Sequence, residues 1–198
     1  METTNDYYNK YALEFFNNTL AVDMKSIRQR FLAYLPDNGR ILDAGCGSGR
    51  DTKAFLDSGY YVKAFDASPA LAQLAEDYIR QSVDVLRFQD LAYDNEFDGI
   101  WACASLLHVS RNDLPNVFRD LFRALKPDGL LYSSFKYGTG EVANNGRSFT
   151  NMNEDNFTLL LDSVNVFKVM DLWVSEDRRQ NRQNEYWFNA ILKSKEGS

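Results

Sequence analysis

"RILDAGCGSGRDTKAFLDSG", residues 40–59, carries three glycines, Gly45, Gly47 and Gly49, at alternate positions. An apolar β-type run precedes them and a helical pattern closed by Gly59 follows, so the stretch reads as strand, glycine turn and helix. At such a junction backbone N–H groups and the positive end of a helix dipole face a ligand. The nicotinamide fingerprint GxGxxG would need glycine at position 50, where Arg50 stands, and no GK[ST] phosphate ending follows. Asp43, two residues before Gly45, makes the turn D-x-G-x-G-x-G. That pattern suits an amino acid group: Asp43 orients the ammonium, while backbone amides and Arg50 receive the carboxylate.

Outward from the turn, short β-rich runs alternate with helical ones. YVKAFD is a strand, SPALAQLAEDYIRQ a helix with Ser68 as N-cap and Pro69 at its first position, and VDVLRF a third strand. FDGIWACAS, apolar almost throughout, reads as a strand covered on both faces. A helix from about Asn112 to Leu125, the stop KPDG and the strand LLYSSFK follow. This alternation predicts a parallel sheet with right-handed crossovers. After a helix near NEDNFTLLLDS, the runs VFKVMDLWVS and EYWFNAILKS are joined only by EDRRQNRQN, too short for a crossover, so they are expected to pair antiparallel. Residues 6–34 carry apolar side chains at helical intervals, which predicts one broken or two short helices.

Further acids stand at later strand ends. Asp66 ends the second strand roughly 20 residues beyond the turn, where an acid takes both hydroxyls of a ribose. Asp90 ends the expected third strand, placed to accept from an adenine amino group. Amino acid, ribose and adenine together describe S-adenosylmethionine. Each acid also has a plainer reading, Asp66 as a helix cap and Asp90 as turn chemistry, but Ser68 already fills the cap.

Composition narrows the partners. The chain has 198 residues, is 44% hydrophobic and has a net charge of -6, with scattered cations, which argues for one domain and against nucleic acid. Two cysteines form no CxxC pair, the start METTNDYYNK has no signal-peptide pattern, and no run is long enough to span a membrane; a cytoplasmic protein is expected. A single histidine sets aside a His-rich metal site.

LDAGCGSG, FDAS, the Asp90 turn, FDGIWACASLLHV and LKPDGLLYSSFK resemble, in order, the motifs of class I S-adenosylmethionine-dependent methyltransferases, over residues 40–136. GCGSGRD is also similar to the small bacterial methyltransferases related to tellurite resistance. The resemblance implies an α/β, Rossmann-like, seven-stranded, mostly parallel sheet with an antiparallel last strand and helices on both faces. It implies a single methyltransferase domain, residues 1–198, in which residues 1–39 form a helical lid over a core of 40–198. The expected cofactor-binding set is Tyr8, Asp43, Ala44, Gly45, Gly47, Arg50, Asp66, Ala67, Ser68, Asp90, Leu91, Cys103 and Ala104. Tyr8 is chosen from Tyr7, Tyr8 and Tyr11 for a cation–π contact to the sulfonium, with core packing the other reading. His108, just past the fourth strand, is the candidate catalytic residue, although alignment of acceptor and methyl can suffice without a base.

The loops FKYGTGEVANNGRSFT and WVSEDRRQNRQN are expected at the same edge, with Lys136, Tyr137, Arg147, Asp177, Arg178 and Arg179 around the acceptor. The acceptor is expected to be a small molecule and the protein a monomer or homodimer. Aminopropyl transfer, a tRNA or protein acceptor reached with a partner, and a non-catalytic cofactor-binding subunit remain the alternatives.

Overall fold

The computed structural model describes residues 3–179, 182 and 184–195. Of the polar stretch expected between the last two strands, residues 180, 181 and 183 lie outside the described residues.

A seven-stranded sheet runs in the order β3-β2-β1-β4-β5-β9-β8. Its strands are β1 (Arg40–Ala44), β2 (Tyr61–Asp66), β3 (Asp84–Val85), β4 (Phe97–Ala102), β5 (Leu125–Lys136), β8 (Phe167–Glu176) and β9 (Tyr186–Ser194). The first five pair parallel, and β9 lies antiparallel between β5 and β8, as the short final connection predicts. The sequence reverses order at β1, which has β2 on one side and β4 on the other; in open α/β sheets ligands bind in the crevice at that switch.

Strand alternation sends side chains to both faces. Leu42, Ala44, Ile100 and Leu131 pack with α6 (Leu114–Ala124) and α7 (Glu154–Val164). Ile41, Val62, Trp101 and Tyr132 pack with Phe31 of α3 (Lys25–Leu32) and Phe55 of α4 (Arg50–Asp57), while Ala64 meets Ala72, Ala75 and Ile79 of α5 (Pro69–Ile79). Ser68 caps α5 as expected, its Oγ accepting from the Leu71 N–H. Among the described residues no helix is long and apolar enough to cross a membrane.

Three expectations need correction. The third strand is two residues long, because β3 is an edge strand pairing only with β2, and the chain then turns so that Phe88 packs edge-on against Phe65. The segment after β5 is no plain loop: β6 (Glu141–Asn144) and β7 (Arg147–Thr150) form a hairpin turning at Asn145 and Gly146, both with positive φ. The N-terminal region forms three helices, α1 (Thr4–Lys10), α2 (Ala12–Leu20) and α3. Thr3 and Asp6 start α1 with a reciprocal capping box.

Candidate active site

Gly45, Gly47 and Gly49 have φ of 77°, 56° and 73°, left-handed backbone that carries no steric penalty only for glycine. Space is equally restrictive. A Cβ on Gly45 would lie 2.5 Å from the Ser105 Cβ, and one on Gly49 2.9 Å from Ile79 of α5. The turn is thus wedged between the β4 end and α5, and the N–H groups of Gly45 and Cys46 both donate to the Phe65 carbonyl at 2.9 Å.

Beneath the turn sits a charge cluster that the sequence did not reveal. Asp51, in the first turn of α4 and only 5% exposed, accepts from Arg28 Nη1 of α3 (2.6 Å), from Arg50 Nε and Nη2 (3.1 and 2.6 Å), and from Trp101 Nε1 (3.0 Å). Burial would raise its pKa, but the two guanidiniums outweigh burial and hold the carboxyl below its ordinary value. Arg50 thus has an anion within the chain. A cation at a helix N-terminus opposes the dipole, and the anion that offsets it is Asp51 of the same chain. Arg50 still lines the cavity, with Nη1 also donating to the Thr19 carbonyl at 3.3 Å.

Asp43, 2% exposed at the end of β1, accepts from Thr52 Oγ1 at 2.6 Å. Burial, and then the neighbouring charge of Asp51, push it up to about 7. An acid with a raised native pKa binds its proton more tightly folded than unfolded, so stability falls as pH rises from the unfolded value, about 3.9, towards the native one. Asp43→Asn removes that penalty: in urea unfolding the variant is expected to gain on the wild type as pH increases from 5 to 8. A stability difference that does not change with pH would overturn this account.

Asp66 closes the other side of the turn. Its Oδ2 accepts from the Gly47 N–H and its Oδ1 from the Ser68 N–H, both at 2.9 Å. Burial raises its pKa against these two bonds.

The N-terminal helices cover the crevice. Asn9 Oδ1 accepts from Ser68 Oγ (2.6 Å), Thr4 Oγ1 accepts from the Ser148 N–H of β7 (3.0 Å), and Phe15 of α2 lies over Gly47. Tyr8 O–H meets His108 Nε2 at 2.9 Å, and His108 Nδ1 lies 2.8 Å from the Ser148 carbonyl. A carbonyl only accepts, so Nδ1 carries the proton and Nε2 accepts from Tyr8. Burial, aided by Arg147 and Lys136, lowers His108 to about 4, which keeps it neutral.

These parts surround a cavity of about 530 Å³, within the range of small-molecule sites. Of the expected cofactor set it is lined by Tyr8, Asp43, Gly45, Gly47, Arg50, Asp66, Ala67, Ser68, Cys103 and Ala104, and His108 joins them. Three expected residues stand elsewhere. Asp90 sits on a 3₁₀ turn (Phe88–Asp90) beyond the shortened β3, exposed and bound to Arg87 Nε at 2.8 Å. Leu91 and Ala44 are buried in the core. Arg87, Phe88 and Gln89 line the cavity where Asp90 was expected. Of the acceptor-side set, Lys136, Arg147, Asp177, Arg178 and Arg179 line the cavity, whereas Tyr137 points away and donates to Glu154 at 3.1 Å. Burial pushes the Cys103 thiol up to about 12, so no thiolate nucleophile forms there.

Residues 16–190 match the model of a methyltransferase domain family. A Bacillus subtilis protein named as the methyltransferase YqeM is 33% identical over 115 residues, 52% of this chain; the chain spans 47% of that relative's length. Two solved structures share the fold. The Burkholderia thailandensis 1,6-didemethyltoxoflavin-N1-methyltransferase, solved with 1,6-didemethyltoxoflavin and S-adenosylhomocysteine, has a TM-score of 0.75 at 22% identity, covering 99% of this chain and 92% of its own. A TehB-like S-adenosylmethionine-dependent methyltransferase from Corynebacterium glutamicum has a TM-score of 0.73 at 20% identity, covering 96% of this chain and 98% of its own. With its glycine turn set at the switch point of a sheet whose strand β9 is antiparallel, the chain belongs to the methyltransferase domain family and has the fold of S-adenosylmethionine-dependent methyltransferases.

Proposed function

We propose that the protein is an S-adenosylmethionine-dependent methyltransferase acting on a small molecule. The observation that carries this reading is Asp66. Two backbone N–H groups fix its carboxylate at the cavity wall, each oxygen keeps a lone pair for a ribose hydroxyl, and the turn that supplies one of those N–H groups tolerates no Cβ at Gly45. Gly45, Asp43 and the guanidinium of Arg50 face the same space and suit the amino acid end, while Arg87, Phe88 and Gln89 replace Asp90 beside the base.

S-adenosylmethionine bound there would supply an electrophilic methyl group on a sulfonium. What the chain supplies is position and dryness. Tyr8, kept neutral by burial, closes the lid over the site through His108, whose only lone pair is spent on that bond. His108 is therefore a positioning residue for α1, and alignment of a nucleophile with the methyl is the main catalytic contribution. Net charge of -6 and the covering helices favour a small acceptor, as does the small heterocycle bound by the Burkholderia enzyme.

Calorimetric titration with S-adenosylmethionine and S-adenosylhomocysteine, with a nicotinamide dinucleotide as control, tests the reading. Binding of both sulfur ligands on the order of micromolar, and none of the dinucleotide, is expected. Absence of both would overturn it.

A further inference from the structure

The cations that line the cavity are almost all spoken for. Arg50 is held by Asp51, Arg87 by Asp90, Arg179 by Asp177, Arg182 by Glu185 at 2.7 Å and Lys136 by Glu185 at 3.4 Å, while Arg178 donates to Ser26 and to the Asp23 carbonyl. Arg147 differs. Among the described residues no carboxylate pairs with it: its side-chain hydrogen bond is to the Tyr8 hydroxyl, and its Nε is buried without a hydrogen-bond partner. Its guanidinium lies 4.4 Å from the Tyr7 ring centroid and 5.1 Å from that of Phe149, so two aromatic rings fix its plane.

A buried guanidinium N–H left unsatisfied costs free energy unless a ligand meets it. Arg147 is placed for that. It opens β7, which packs on α1 and on the 3₁₀ turn carrying His108 (Leu106–His108), and it lines the same cavity as His108 and the glycine turn. Burial lowers the His108 pKa, and the charges of Arg147 and Lys136 lower it further, so two cations stand near this imidazole. Asn5 of α1 lines the same space with its Oδ1 buried and unpartnered, a second orphan that can accept from an O–H or N–H.

We infer that the methyl acceptor is a small carboxylate, its anionic group bound by Arg147 and an O–H or N–H of the same molecule received by Asn5. This rests on the methyltransferase reading above and adds the chemical class of the substrate. A planar fork that pairs two N–H groups with two oxygens favours a carboxylate over a neutral amide.

The test uses the full chain saturated with S-adenosylhomocysteine and titrated calorimetrically with benzoate and glutarate, against benzamide and glutaramide. At least one carboxylate is expected to bind tenfold or more tighter than its amide. Arg147→Gln should abolish that preference, Arg147→Lys should restore part of it, and both should leave the S-adenosylhomocysteine dissociation constant within twofold. Carboxylates that bind no better than amides, that do not bind, or that are indifferent to Arg147→Gln overturn the inference. So does a variant whose main loss is in S-adenosylhomocysteine affinity, because Arg147 would then hold the cofactor's own carboxylate. Failure of the methyltransferase reading shows separately, as wild-type protein that never takes up S-adenosylhomocysteine.

Discussion

Asp66→Asn is expected to weaken S-adenosylmethionine binding by ten- to a hundredfold, about 1.5–3 kcal/mol, the scale of hydrogen bonds to a charged group. The substitution keeps the shape of the side chain but turns one oxygen into an N–H₂ donor. In the native chain both oxygens accept from backbone, Gly47 N–H on one side and Ser68 N–H on the other, so whichever way the new amide lies it sets a donor against a donor. The same amide can accept only one ribose hydroxyl. The loss is thus twofold: the turn relaxes away from its ligand-ready shape, and one ligand bond disappears. Calorimetry on folded variant checks it, and an unchanged dissociation constant would show that the ribose does not lie at Asp66.

The place of Asp66 at the cavity wall was legible because it is set by position in the fold. Asp66 ends the strand next to the glycine turn, at a spacing set by one crossover helix, and the strand-helix alternation that fixes the spacing also predicts the parallel pairing of β1 to β5. The antiparallel pairing of β9 was legible for a similar reason, since a connection of nine polar residues excludes a crossover. The third strand, expected to end at Asp90, is where the same logic loses its support. VDVLRF has strand composition, but β3 is an edge strand with one neighbour and only two paired residues; beyond it Phe88 packs on Phe65 and Asp90 pairs with Arg87. Arg50 and Asp51 show a different limit. An acid in a first helical turn is ordinary dipole chemistry, and nothing local says that Arg28, 23 residues earlier, closes on it. Asn5, and the stacking of Arg147 on Tyr7, likewise depend on how α1 and the β6–β7 hairpin meet, which no periodicity encodes.

Asp51→Asn is expected to cost about 3–5 kcal/mol of stability at neutral pH, because it removes the anion from a buried cluster and leaves two guanidiniums without one. Arg28 and Arg50 are 17% and 19% exposed, too covered for water to replace the carboxylate fully. Arg28→Met should cost less, since Asp51 keeps Arg50 and Trp101. Some relief is built in: the charge of Asp51 helps to raise Asp43, so its removal lets Asp43 ionise more readily beside the freed Arg50. That relief consumes the carboxylate that should meet the cofactor's ammonium, so affinity is expected to fall along with stability. The pH dependence separates this electrostatic account from a packing defect. Asp51 has a depressed native pKa, so the stability it contributes is present above the unfolded value, about 3.9, and is lost as pH falls through the native one. Urea unfolding should accordingly show wild type and Asp51→Asn far apart at pH 7 and converging in acid; a gap that stays constant down to acid pH would mean that shape, not charge, holds α3, α4 and the glycine turn together.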